Sequence, residues 1–321
     1  MILVTGGAGF IGSALLWRLN QDGHRDILVC DHLGQSDKWK NLRGKVFADY
    51  LEKDTLLELV EKNALKGDLE AVFHLGACSA TTERDASYLL KNNYEFSKKL
   101  AEWTLRRDVP FYYASSAATY GEGDCGYVDE DRNTLRLTPL NMYGYSKLLF
   151  DHWIIRNKLT SRVVGLRYFN VYGPNEYHKG DMRSVVVKAF EQIQKEGQMR
   201  LFRSYRQDYK DGEQKRDFIY VKDAVAMMME IYQKPNVRGI FNIGSGEART
   251  WNDLAHALFR ALGKKPAIEY TDMPEYLREK YQYFTQADLT KLRTAGVRHP
   301  LTSLEDAVKD YAAYLQTAAY L

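Results

Sequence analysis

The run Val4-Thr5-Gly6-Gly7-Ala8-Gly9-Phe10-Ile11-Gly12 contains G-x-G-x-x-G at Gly7, Gly9 and Gly12, with Gly6 just ahead of it. Glycines at that spacing allow a tight turn, close backbone approach to a pyrophosphate and close packing of the following helix. The N-terminus of that helix attracts the negative charge. Alone the motif is weak, but here a β-branched strand precedes it and an amphipathic stretch follows. Asp31 stands nineteen residues after Gly12, at the end of a second strand, where a carboxylate can accept hydrogen bonds from an adenosine ribose. That favours NAD, because a carboxylate repels a 2′-phosphate. His32, Lys38, Lys40 and Lys53 lie close in sequence and could neutralise such a phosphate or simply be a solvated face, so these residues leave NAD and NADP open. Leu75-Gly76-Ala77-Cys78-Ser79 reads as a small-residue floor for the cofactor, or as ordinary close packing at a strand end.

A second constellation suits proton transfer. Tyr143 and Lys147 are four residues apart at a helix start, hence on one helical face. A free phenol, with a pKa of about 10, is a poor base at neutral pH. A neighbouring ammonium and an oxidised nicotinamide would both stabilise phenolate, drawing that value down until Tyr143 can take a proton from a substrate hydroxyl. Upstream, Ala114-Ser115-Ser116-Ala117-Ala118-Thr119-Tyr120-Gly121 offers hydroxyls, one of which can hydrogen-bond the reacting oxygen. Tyr at i with Lys at i+4 also decorates many solvated helices, so the pair gains weight only beside the glycine turn and the serine loop.

The elements that must position these groups alternate short apolar runs with longer amphipathic ones, the pattern of βαβ units. Strands are expected near Ile2–Val4, Ile27–Cys30, Lys45–Ala48, Ala71–His74, Phe111–Ala114 and Val163–Arg167. Helices are expected near Ile11–Asn20, Thr55–Asn63, Tyr88–Arg107 and Tyr143–Asn157. The fold class is α/β: a doubly wound parallel (Rossmann) sheet with a smaller C-terminal α/β substrate lobe. Residues 1–170 form the dinucleotide domain, joined by a return segment at about 216–245, and residues 171–321 form mainly the substrate lobe. The polar stretch Tyr205–Lys215 reads as a mobile surface loop, and Thr302 with Glu305 has capping-box spacing ahead of a last helix.

Composition narrows the class. The chain has 321 residues, 45% hydrophobic and 27% charged, with 45 Lys and Arg against 42 Asp and Glu. The resulting charge of +3 gives no reason to expect nucleic-acid or membrane-surface partners. No apolar run approaches the roughly 20 residues of a membrane-spanning helix, and Met1 to Gly6 lacks the basic flank of a secretory leader. Cys30, Cys78 and Cys125 are odd in number and widely spaced, so they read as cytoplasmic packing thiols, with no metal site expected.

Together these residues resemble the extended short-chain dehydrogenase/reductase superfamily, whose members act largely on nucleotide sugars. Arg167-Tyr168-Phe169-Asn170-Val171-Tyr172-Gly173-Pro174 and Arg216-Asp217-Phe218-Ile219-Tyr220-Val221-Lys222-Asp223 agree with it. Phe73-His74-Leu75-Gly76-Ala77-Cys78-Ser79, the Tyr113–Gly121 run, His178-Lys179-Gly180 and Phe284-Thr285-Gln286-Ala287-Asp288-Leu289 are similar, in order, to segments of its ADP-heptose 6-epimerase branch. The resemblance implies NADP as cofactor, held by positions matching Phe10, Ile11, Asp31, His32, Lys38, Lys53, Asn92, Tyr143, Lys147, Val171 and Lys179. It implies Tyr143 and Lys179 as acid/base catalysts on opposite sides of the reacting carbon, with Ser116 assisting. The substrate would meet Ser116, Asn170, Asp181, Lys188, Phe202, Arg203, Ser204, Arg216 and Tyr281. Without the resemblance, Lys179 reads as a solvated loop lysine, and His74 and His178 as packed or exposed imidazoles.

Three positions depart from that pattern: His32 stands where Asn is usual, and Asp181 and Lys188 replace a small hydroxylic residue and a His. The loops Glu122–Thr138 and Arg203–Lys215 are longer than expected. The expected activity is inversion at C6 of an ADP-heptose by transient oxidation, in a cytoplasmic homo-oligomer, pentameric by resemblance. It would supply the heptose of the lipopolysaccharide core. Rival readings are a 4-epimerase of another nucleotide sugar, a 4,6-dehydratase, and a non-catalytic cofactor sensor. Ala117 and Ala118 sit where a dehydratase needs an acid, and retention of Tyr143 with Lys147 argues against a sensor.

Overall fold

Short β-branched runs flanked by amphipathic helices bury best as parallel strands covered on both faces. The chain does this in a computed structural model that describes residues 1–278 and 281–321. Its first half runs β1 (Ile2–Thr5), α1 (Phe10–Gln21), β2 (Ile27–Asp31), β3 (Asp49–Glu52), α2 (Lys53–Glu61), β4 (Ala71–His74), α3 (Ala86–Leu89), α4 (Phe96–Leu105), β5 (Phe111–Ser116), α5 (Asp131–Thr134), α6 (Met142–Arg156) and β6 (Val163–Tyr168). The second half runs β7 (Asn170–Tyr172), α7 (Val185–Glu196), β8 (Met199–Phe202), β9 (Lys215–Tyr220), α8 (Val221–Tyr232), β10 (Gly239–Ile243), β11 (Ala248–Thr250), α9 (Trp251–Ala261), β12 (Ile268–Thr271), α10 (Glu275–Arg278), α11 (Thr290–Thr294) and α12 (Leu304–Thr317).

Seven strands form one parallel sheet in the order β10-β6-β5-β4-β1-β2-β3. Alternation within each strand feeds two cores. Ile2, Val4, Val29 and Phe73 pack with α1 and α8 on one face, while Leu3, Leu28 and Val72 pack with Leu100 and Trp103 of α4 and Ile154 of α6 on the other. The chain crosses from one side of the sheet to the other between β1 and β4, so the loops after those strands open a crevice at the carboxyl edge.

The doubly wound sheet expected from the sequence is present, with four local differences. The third strand is Asp49–Glu52 rather than Lys45–Ala48: Tyr50 packs against the core on one side of the sheet and Leu51 against the core on the other, while Val46 stays exposed. The helix expected over Tyr88–Arg107 is broken by a π-helical turn at Leu90–Glu95. The last helix is capped by Ser303, whose hydroxyl accepts from Asp306 N at 3.1 Å, not by Thr302; Thr302 instead donates its hydroxyl to buried Asp223. The 205–215 stretch is tethered, since Ser204 N donates to Asp211 and Asn252 donates to the Asp211 carbonyl.

The 216–245 segment divides. β10 extends the main sheet beside β6, and α8 packs on α1, whereas β9 pairs with β7 and β11 in a three-stranded sheet. β8 and β12 form a third, two-stranded sheet. The long 122–138 loop is ordered by Asp129, which accepts from Asn242 N at 2.7 Å. Among the described residues no helix is long and apolar enough to cross a membrane.

Candidate active site

The glycine turn leaves β1 at the crevice. Gly6 adopts a left-handed φ of +68° and passes so close to the β4 loop that a Cβ there would lie 2.5 Å from Gly76 N, which only glycine permits. Helix α1 starts behind Gly9 with no side-chain cap, so its first N–H groups remain free for an anion. These features suit a dinucleotide pyrophosphate. Gly7 lies behind the turn, packed toward Val29 and outside the cleft lining. The main cleft has a volume of about 460 Å³. It brings together Gly6, Gly9, Phe10, Ile11, Gly12, Asp31, Lys38, Leu75, Gly76, Ala77 and Ser79 with Ser116, Tyr143, Lys147, Asn170, Val171 and Lys179.

A side pocket of about 140 Å³ gathers Asp31, His32, Lys38, Lys53, Cys78 and Asn92. Asp31 accepts from Ala8 N at 2.8 Å and pairs with the Lys38 ammonium. Lys53 Nζ donates to Asn92 Oδ1 at 2.7 Å. The π-helical turn faces Asn92 into this pocket and turns Asn93 toward the β4 loop, where its amide brackets Cys78 N and O at 2.8 and 2.9 Å. Such turns recur at ligand sites. His74, beneath the loop, is a packed imidazole: Thr5 Oγ1 and Ser97 Oγ lie 2.7 and 2.8 Å from its two nitrogens, and burial pushes its pKa down to about 3.

Helix α6 is capped by Asn141, which accepts from Gly144 N at 2.8 Å, and its first turn delivers Tyr143 and Lys147 to the cleft. Asp151, one turn further, is fully buried and accepts from Tyr113 (2.9 Å), Ser115 (2.9 Å) and both Arg167 Nε (3.0 Å) and Nη2 (2.8 Å). That network fixes the helix against β5 and β6. From the protein's own groups alone, burial pushes the Tyr143 phenol up, opposed by its hydrogen bond with Ser116. Lys147 spends a hydrogen bond on the Ala114 carbonyl at 2.9 Å, and burial lowers its pKa to about 8. A cation bound beside Tyr143 is therefore needed to favour phenolate.

Lys179 is half-buried, with Nζ 5.4 Å from the centre of the Phe10 ring, rather than a solvated loop lysine. Burial lowers its pKa, and Glu176 opposes the shift. His178 also lines the cleft, its pKa pushed down to about 4 mainly by burial.

Three of the expected substrate residues form a box beside the cleft. The Arg216 guanidinium lies 5.1 Å from the Tyr281 ring centre and 5.7 Å from that of Trp251, with Phe202 edge-on to Tyr281. Arg216 is buried, and among the described residues no carboxylate pairs with it. Trp251 connects the box to the cleft. Asp181 and Lys188 contact each other, Lys188 Nζ donating to the Asp181 carbonyl at 2.6 Å. Arg203 lies 3.6 Å from Asp272. These two contacts and Ser204 stand outside the cleft lining. The sequence reading missed Thr81, Met182, Arg183, Phe218 and Trp251 on the cleft wall. Phe218 fell within a quoted motif; the others carry no local pattern.

The model of the NAD dependent epimerase/dehydratase family matches residues 2–244. The chain belongs to this family. Over 319 residues, covering 99% of both chains, it is 56% identical to the ADP-L-glycero-D-manno-heptose-6-epimerase of Nitratidesulfovibrio vulgaris strain DP4. The structure of the Helicobacter pylori ADP-L-glycero-D-manno-heptose-6-epimerase superposes with a TM-score of 0.82 at 29% identity, over 98% of this chain and 96% of that one. The UDP-glucuronic acid 4-epimerase of Bacillus cereus, solved with UDP-glucuronic acid and NAD, gives 0.78 at 26% identity over 99% of each chain. Family membership makes the nucleotide cofactor a nicotinamide one, and the family resemblance seen in the sequence is borne out.

Proposed function

We propose that this epimerase interconverts ADP-D-glycero-D-manno-heptose and ADP-L-glycero-D-manno-heptose, with NADP as its resident cofactor. One observation carries the reading: Tyr143 and Lys179, borne by segments far apart in the chain, both line the one cleft, as inversion with two acid/base groups requires. Oxidised nicotinamide, when bound, supplies the hydride acceptor and afterwards the donor for the same carbon.

Tyr143 takes the C6 hydroxyl proton as C6 gives up its hydride, Ser116 holding the oxygen, and the two losses together leave a ketone. Rotation of the terminal group then presents the other face and swings the oxygen away from Tyr143. Lys179 protonates that oxygen as the hydride returns. Arg216, buried without a carboxylate among the described residues, suits the diphosphate through its planar donors. Lys38 and Lys53 suit a 2′-phosphate. On this reading the enzyme is a cytoplasmic homo-oligomer, pentameric by resemblance, that feeds lipopolysaccharide core synthesis. Incubating the purified protein and NADP⁺ with ADP-D-glycero-D-manno-heptose and following the C6 signals by NMR tests it. Epimer formation is expected, and an unchanged sugar at high enzyme concentration refutes it.

A further inference from the structure

Three loops of different sequence origin meet at one buried amide. They are the glycine turn, the 3₁₀ turn Asp37–Leu42 that carries Lys38, and the segment after β7 that carries His178 and Lys179. Asn41, 1% exposed, places Nδ2 2.9 Å from Ala8 O, 3.0 Å from Asn175 O and 3.2 Å from His178 Nδ1. Its two amide hydrogens suffice for the Ala8 and Asn175 carbonyls, so the amide ties its own turn to the other two loops at once.

The surroundings make this more than local satisfaction of a backbone group. Ala8 is gripped from both sides by the Lys38 loop: its N–H donates to Asp31, which pairs with Lys38, and its carbonyl accepts from Asn41. Across the junction, Asn175 is itself fully buried in a left-handed conformation at φ +78°. That backbone is strained for a non-glycine residue. Asn175 Nδ2 donates to Ser13 of α1 at 3.0 Å. The strained residue thus turns its carbonyl to Asn41 and its side chain to the cofactor helix.

We infer that Asn41 is a positioning residue that couples the phosphate-binding loop carrying Lys38 to the loop carrying Lys179. Resting on the proposed function, the inference means that ordering of the first loop by the cofactor also sets Lys179 over the sugar. Asn41 touches neither reactant; it transmits between the groups that do.

Asn41→Ala tests this through binding and through two activities. Calorimetry should show NADP⁺ binding weakened roughly tenfold, the scale of one ordinary buried hydrogen bond, with NAD⁺ affected less because it does not engage Lys38. At saturating NADP⁺, epimer formation should fall. Disproportionation of an aldehyde-bearing sugar-nucleotide analogue should persist, since one hydrated aldehyde is oxidised to the acid and a second is reduced to the alcohol without inversion. Asn41→Ser, whose hydroxyl can reach one carbonyl, should recover part of both losses and serves as the test if the alanine variant does not fold. Wild-type NADP⁺ affinity in a folded variant overturns the inference, as does an equal loss of inversion and disproportionation. If the parent protein makes no heptose epimer, the proposed function fails while the two-cofactor calorimetry still decides the role of Asn41 toward Lys38.

Discussion

Replacing either lysine of the side pocket should change cofactor choice by an amount that depends on what each ammonium now does. Among the described residues Lys53 donates to the neutral Asn92 amide and lies 3.7 Å from exposed Asp54. Its removal costs one charge-assisted hydrogen bond to a 2′-phosphate, about 1.5–3 kcal/mol, or roughly 10- to 150-fold in Kd. Solvent screening favours the lower end, because the side chain is 32% exposed. Lys38 has a second task. Its ammonium neutralises Asp31, which is almost fully buried, so Lys38→Ala removes a contact and also unmasks a carboxylate. Unit charges ~5–6 Å apart at an effective dielectric of ~20 repel by about 3 kcal/mol.

Lys38→Ala should therefore weaken NADP⁺ by roughly 10³-fold or more, well beyond Lys53→Ala. NAD⁺ should bind Lys38→Ala at least as well as the parent protein, because the freed Asp31 can accept from the ribose hydroxyls. Calorimetric titration of both nucleotides into the parent and the two variants gives the four ratios needed. Equal weakening of NADP⁺ and NAD⁺ by either substitution would refute the placement of the phosphate, and a parent protein that prefers NAD⁺ would refute the cofactor assignment itself.

Other consequences follow from the same geometry. Tyr143→Phe keeps the ring and removes the proton acceptor, so turnover of the heptose should drop about 10²–10⁴-fold with NADP⁺ affinity by calorimetry retained. Lys179→Met should abolish inversion by NMR yet leave disproportionation of the aldehyde analogue partly intact; parental epimer formation would remove Lys179 from the chemistry. Because burial lowers the Lys179 pKa, an acid role there predicts an alkaline limb in kcat below the ordinary lysine range. Activity should fall as pH rises and the ammonium is lost, and that limb should vanish from the disproportionation profile. His74 is held neutral in the fold, with its pKa pushed to about 3 from 6.5, so the unfolded chain binds the extra proton first. Stability is lost as pH falls from about 6.5 toward 3, by up to roughly 4–5 kcal/mol at ~1.4 kcal/mol per unit. His74→Gln should flatten that acid limb in chemical denaturation.

The sheet was legible because its central strands are buried on both faces, and such strands must be written as near-continuous apolar runs. β3 escaped that logic. It is an edge strand with no fully buried residue, and its membership is decided by Tyr50, whose hydroxyl donates to the Asp31 carbonyl at 3.0 Å, a contact invisible in periodicity. The cofactor end of the site was legible for a related reason, since the glycine turn and Asp31 are local consequences of one βα unit. Tyr143 and Lys147 share a helix face, and spacing alone reports that. What spacing does not report is that the Lys147 ammonium donates to Ala114 O, a contact made between the helix and the end of β5.

Lys179 was the hardest to read, and the reason lies in Phe10. In the glycine motif that position is free of constraint by the phosphate argument, which concerns backbone N–H groups and the absence of side chains around it. In the fold its ring forms the surface over which the Lys179 ammonium lies. The glycine motif therefore also supplies an aromatic face to the Lys179 ammonium, a contact that attracts the cation. Burial is the first cause of the lowered Lys179 pKa, and Glu176 opposes it. An ammonium becomes a useful acid near neutrality only where desolvation outweighs its favourable charge contacts, and for Lys179 burial does so against both Glu176 and the ring of Phe10, a residue remote from it in sequence. No window along the chain contains both, which is why the pairing had to come from the fold.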